Sequence, residues 1–165
     1  MSNTLRGLAL AAAILLPVLP ASAQGTLGSF RSPTLGYADR LAAEAVKSCQ
    51  GSGYRVVAVV VDRAGQVLAL LRDENARAHA IEIATRKAYT SAMLGYETAK
   101  LAANIANGTT PASITQTSGF TGLIGGMPIK LENEVVGGIG VSGAPGGQLD
   151  EACAVAAMKA VPLTN

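Results

Sequence analysis

Tryptophan is absent from this chain, and aromatic residues of any kind are scarce: four tyrosines and two phenylalanines in 165 residues. One histidine, His79, and two cysteines, Cys49 and Cys153, are the whole stock of imidazole and thiol groups. A zinc site built from protein ligands alone needs several such groups, so that class is excluded. The cysteines form neither C-x-x-C nor C-x-x-C-H, which excludes thioredoxin-type exchange and covalent cofactor attachment of that kind. No G-x-S-x-G elbow is present, and Ser142 lacks the flanking pattern of a nucleophile. Gly137-Gly138-Ile139-Gly140 falls short of G-x-G-x-x-G, and no G-K-[ST] follows it, so a nucleotide loop is not indicated. Charged residues make up only 15% of the chain, without a basic run or an aromatic ladder. Nucleic acid is therefore not an expected partner.

Long hydrophobic runs are also missing, with one short exception. Arg6 precedes an apolar stretch from Leu8 to Leu16, which Pro17 and Pro20 break before Ala21-Ser22-Ala23. That is the pattern of a secretory leader with an A-x-A cleavage site. The apolar core is too short for a bilayer span of about 20 residues. The expected division is a signal peptide over 1–23, a flexible segment over 24–33, and one domain over 34–165. No stable membrane span is expected, and the expected location is periplasmic or secreted. Loss of Arg6 from the 13 basic residues leaves them one ahead of the 11 acidic ones, a balance that names no partner.

In an oxidising compartment, Cys49 and Cys153 suggest a disulfide between terminal helices. The alternative is two small buried apolar residues.

Thr34 is a cap for a helix over about 35–49, whose apolar residues Leu41, Ala42, Ala45, Val46 and Cys49 fall at helical spacing. Arg55–Val61 and Gln66–Arg72 read as a hairpin across Asp62-Arg63-Ala64-Gly65. The first strand is apolar on both faces and so belongs at the centre of a sheet. A helix is expected over 79–95 and a second over 97–106. Strands are expected over 117–124, 127–131 and 135–141, then a last helix over 149–161 with Asp150 and Glu151 in its first turn. Hairpins dominate this order, which predicts an α+β fold with an antiparallel sheet.

His79 opens the second helix. A lone histidine there is either a surface or capping residue or a ligand, since imidazole binds transition metals and serves as an axial ligand to haem. Ala78 and Ala80 leave room beside it for a flat molecule. Arg77, Arg86 and Lys87 are near it in sequence and suit carboxylates; each also reads as part of a solvated helix face. Asp73, Glu74 and Glu82 are the nearest carboxylates that suit a hard cation, although such residues usually just face water. Met127 reads as core.

Four segments together resemble the GlcG/HbpS-like haem-binding family, of which the PduO C-terminal domain is a relative. They are V-x-x-x-V-V-D-x-x-G-x-x-L-A-x-L-R around Val57–Arg72, R-K-A-Y-T at Arg86–Thr90, G-G-x-P-I at Gly125–Ile129, and V-V-G-x-I-G-V-S-G-x-P-x-G-x-x-D-E at Val135–Glu151. The likeness spans about 35–161. It implies a profilin-like α+β fold with a five-stranded antiparallel sheet flanked by helices. It also implies assembly into homo-oligomers and haem binding in haem or iron handling. On that basis the expected cofactor is haem b, with His79 as the ligand to iron and Arg86 and Lys87 near the propionates. Related sequences often carry a Pro-His pair where this chain has Ala78-His79. No catalytic residue is assigned. A second reading is a small-molecule binder or small enzyme with a pocket between protomers, lined by Tyr89, Tyr96 and hydroxyl groups. A third is an oligomeric partner module without a ligand, for which six aromatic residues provide few anchors.

Overall fold

A computed structural model describes residues 29–164. The expected leader and the first part of the expected flexible segment, through residue 28, lie outside the described residues. Helix α1 covers Leu35–Gly51, strand β1 Val57–Asp62, β2 Val67–Arg72, helix α2 His79–Leu94 and α3 Thr98–Ala106. A 3-10 turn over Ala112–Gln116 leads to β3 at Gly126–Leu131, β4 at Glu134–Ser142 and α4 at Gly147–Ala160. The strands form one antiparallel sheet in the order β2-β1-β4-β3. Among the described residues no helix is long and apolar enough to cross a membrane.

Strand β1 explains the layering. Its side chains alternate between the two faces of the sheet. Val56, Ala58 and Val60 enter a core with Leu41, Ala45, Ile139 and Ala154, which lies under α1 and α4. Val57, Val59 and Val61 enter a second core with Ala80, Ala84, Ala88 and Ala92 of α2. Both faces are covered, so an unbroken apolar run, rich in valine, is the sequence this strand requires. The Thr34 hydroxyl accepts from the Tyr37 amide and caps α1. Cys49 of α1 and Cys153 of α4 are joined by a disulfide with 5.4 Å between their Cα atoms.

Helix α2 lies on β4 at backbone distance. A Cβ at Gly138 would sit 2.5 Å from the Ala88 carbonyl oxygen, and one at Gly140 would sit 2.5 Å from the Ala88 nitrogen and overlap the Ala84 carbonyl. Gly126 of β3 meets the Lys87 carbonyl in the same way. Glycine here serves close approach between backbones, not flexibility.

The described sheet has four strands, where five were expected. The missing one is the segment 117–124. Side chains of α2 take up its backbone groups, so no ladder forms. The Thr121 amide donates to the Thr90 hydroxyl at 2.9 Å, and the Phe120 carbonyl accepts from the Arg86 guanidinium. The Phe120 amide turns back to the Thr117 carbonyl at 3.1 Å, and Gly119 holds a φ of 82°, outside the extended range.

Substituting Gly140→Ala should lower stability by about 1–3 kcal/mol or more, because α2 must lift off the sheet. Gly36→Ala, at an open position in α1 with no atom within 4 Å, should be neutral or slightly stabilising. Urea unfolding of the two variants against the parent reads the difference.

Candidate functional site

Three residues of α2, His79, Ile83 and Lys87, are spaced by four and therefore share one face of the helix. That face lines a cleft of about 920 Å³. The chain before β1 supplies Tyr54 and Arg55, the loop before α2 supplies Asn75 and Arg77, and the segment before β3 supplies Leu123 and Ile124. The turn from β4 into α4, Ser142 to Gly147, closes the remaining side, with Asp150 behind it. The family-signature stretch of β4 and α4 thus forms a wall of the cleft, while α2 brings the histidine.

Lys87 is almost fully enclosed. Its ammonium donates to Asp150 Oδ2 and to the Val141 carbonyl, both at 2.7 Å, and the two side chains are 3% and 4% exposed. Asp150 Oδ1 accepts from the Ala144 amide at 2.9 Å. Burial pushes the Lys87 amine below its ordinary value, against the pull of Asp150. Burial likewise pushes the Asp150 carboxyl up, against Lys87 and the backbone donors. A pair this deep gains little over an apolar pair, but either partner alone would be an uncompensated buried charge. Its effect is positional: it fastens α2 to the start of α4 across the end of β4.

Arg86 is one residue away and points elsewhere. Its guanidinium donates to the Phe120 carbonyl and, at 3.5 Å, to the Thr115 carbonyl, with Glu82 at 3.8 Å. Its Nε is buried without a partner among the described residues. Arg86 holds the loop between α3 and β3 and does not line the cleft. Of the three expected ligand-binding residues, the structure therefore brings His79 and Lys87 together and leaves Arg86 outside. Their spacing of two successive steps of four was the available signal, because adjacent helical positions diverge by about 100°.

Sequence reasoning missed Arg55 and Asn75 at the mouth, both set by Asp73. Asp73, with a side chain 1% exposed, accepts from Gln50 at 2.7 Å and from the Asn75 amide at 2.8 Å, and it pairs with Arg55 at 3.6 Å. The Gln50 hydrogen bond, then the Asn75 amide, then Arg55 and Arg72 hold its carboxyl below the ordinary 3.8. Asp73 is thus committed to the loop, and Glu82 to Arg86, so the carboxylates expected as a cation cluster are not one. No group of three or more His, Cys, Asp or Glu side chains suited to a metal occurs among the described residues. Tyr89 stacks edge-on against Phe120 and covers Gly65 and Gly119; neither it nor Tyr96 lines the cleft.

A family model described as haem degrading protein HbpS-like matches residues 34–159. A solved structure of HbpS has a TM-score of 0.80 at 34% identity, covering 87% of this chain and 100% of that one. A double mutant of Streptomyces reticuli HbpS gives 0.79 at 33% identity, covering 89% of this chain and 99% of that one. A complex named PduOC with haem gives 0.74 at 22% identity over 81% of this chain and 97% of that one, which is a likeness of fold. No curated protein sequence matches the chain.

Lys87→Met should destabilise the protein by about 3–5 kcal/mol, leaving Asp150 buried and unpaired. Adding Asp150→Asn should recover part of that loss, and urea titrations of the single and double variants measure it; strictly additive losses would contradict the pairing. Asp73 stabilises the fold at pH values above its unfolded pKa, and that contribution disappears as pH falls through its lower folded value. Melting temperatures at pH 6 and pH 3 should therefore differ less in Asp73→Asn than in the parent.

Proposed function

We propose a haem-binding role for this chain, which belongs to the HbpS-like family of haem degrading proteins. The observation that carries the reading is the convergence of His79, Arg77 and Arg55 with Ile83, Leu123 and Ile124 on one cleft. Its volume of about 920 Å³ lies within the roughly 300–1,000 Å³ typical of small-molecule sites. A solved fold relative carries haem in its name. The donor set fits as well. One imidazole is too little to hold a bare transition metal, whereas iron already coordinated by a macrocycle needs only an axial ligand.

In this reading His79 is the residue that meets the iron of haem b. It is exposed and stands on the first turn of a helix whose far side is locked into the core, so its backbone is fixed while its ring remains accessible. Ile83, Leu123 and Ile124 exclude water from the apolar part of the ligand. Lys87, neutralised by Asp150, sets the depth of the cleft and presents no free charge. Arg86 is a positioning residue: through the Phe120 and Thr115 carbonyls it holds the loop that continues into Leu123 and Ile124. Bound haem would supply a redox-active iron centre. The protein groups placed here bind and orient, and the reading is of haem or iron handling.

The remaining parts of the proposal are location and assembly. The leader pattern at 1–23 and the Cys49–Cys153 disulfide support an extracytoplasmic site, where disulfides persist. Homo-oligomers are the proposed assembly. Exposed Leu123 and Leu149, 51% and 37% accessible in the single chain, would supply contact surface.

Hemin titration followed by absorbance tests the ligand. The parent should shift the Soret band, and His79→Ala should bind more weakly with a different spectrum. An unshifted band in the parent defeats the haem reading, and indistinguishable titrations defeat the role of His79.

A further inference from the structure

The charges around the cleft are unequal in what they offer a ligand. Lys87 is spent on Asp150 at 2.7 Å, and Arg86 is turned to loop carbonyls. That leaves Arg55 and Arg77 as the cations at the mouth. Arg55 is 48% exposed and shares Asp73 at 3.6 Å. Arg77 is exposed, and its side chain makes no hydrogen bond or ion pair to any described residue. Asn75, whose amide is fixed by Asp73 Oδ1 at 2.8 Å, stands two residues before it. No unpaired carboxylate lines the same space, because Asp150 is already taken up by Lys87 and the Ala144 amide.

We infer that Arg77 is the specificity-determining residue of the cleft, reading a carboxylate arm of an otherwise apolar ligand, with Arg55 in a lesser share. The inference rests on the haem-binding reading and narrows it. Recognition requires the acidic arms of the ligand and not only its flat apolar body and metal. Two physical reasons favour Arg77 over Arg55. A guanidinium binds a carboxylate through two parallel hydrogen bonds, and only Arg77 has its full fork free. Arg55 would bind while still neutralising Asp73, so its net attraction for a second carboxylate is smaller. The buried Lys87 adds no competing attraction deeper in the cleft, so the arms stay at the mouth and the apolar body goes inward, along Ile83, Leu123 and Ile124.

The test compares hemin with its dimethyl ester on the full folded domain. Both keep the iron and the macrocycle, and only hemin keeps its carboxylates. The parent should bind hemin more tightly than the ester, on the order of tenfold or more, the scale of a charged hydrogen bond. Arg77→Gln should lose about that factor for hemin and leave the affinity for the ester unchanged. Arg77→Lys should recover part of the loss, and Arg55→Gln should show a smaller one. Thermal melts of Arg77→Gln should match the parent, since the side chain has no described partner to lose. Equal hemin affinity in parent and Arg77→Gln overturns the inference, as does an equal loss for hemin and ester. If the parent retains hemin binding that ignores both esterification and Arg77, only this inference falls. If the parent binds no hemin at all, the haem reading falls and takes this inference with it.

Discussion

Backbone contact between α2 and β4 governs this structure. Gly138 and Gly140 let the Ala84 and Ala88 backbone come down onto the strand, and Gly126 does the same beside Lys87. At that distance the helix cannot rotate without a clash, so its angular setting is fixed by main chain and does not depend on flexible side chains. The alanines at 80, 84, 88 and 92 fill the narrow remaining space against Val57, Val59 and Val61. Because the inner face is set, the neighbouring face carrying His79, Ile83 and Lys87 is set as well. The glycine-rich strand therefore positions a cleft residue that lies more than fifty residues earlier in the chain.

The ion pair beneath the cleft follows from that setting. Lys87 is brought to the end of β4, where its ammonium donates to the Val141 carbonyl and Asp150. Burying two charges is unfavourable in itself, and burial moves both groups toward their neutral forms. What it secures is geometry: α2 on one face of the sheet is joined to the first turn of α4, which belongs to the other layer. Asp150 also holds Ala144, so the turn that walls the cleft is tied to the same point. The disulfide holds the same helix to another element. The Cys49 carbonyl accepts from the Tyr54 amide at 2.9 Å, and Cys153 lies one turn beyond Asp150. Helix α4 is thus joined to α1 by a covalent bond and to α2 by a salt bridge.

Much of the architecture is legible in the sequence because it arises from local pattern. The β1 valine-rich run, the Thr34 cap and the Asp62–Gly65 turn specify a central strand, a helix start and a hairpin. The segment 117–124 is open to a short-strand reading, although its composition is mixed and its apolar residues are spaced loosely. Its fate is decided by Thr90 and Arg86, roughly thirty residues upstream, which take its backbone groups. Local composition cannot report such a competition. The same holds at the site. His79 and Lys87 share a face by simple periodicity, and that periodicity also separates Arg86 from them. Arg55 lines the cleft beside Asp73, a partner that follows it by eighteen positions (73 − 55), and Asp150 looks from sequence like an ordinary first-turn acid until Lys87 is placed against it.

A chain with one histidine and few aromatic residues has little with which to build a ligand site, and the arrangement shows how such a chain concentrates what it has. Most of its charges are matched within the protein: Asp150 with Lys87, Glu134 with Arg31 and Arg63, Glu82 with Arg86, Asp73 with Gln50 and Arg55. Pairing of this kind leaves Arg77 as the unmatched arginine and His79 as the accessible imidazole of the cleft among the described residues. In the proposed reading, selectivity depends less on the number of polar groups that line the cleft than on which of them the fold has left unpaired.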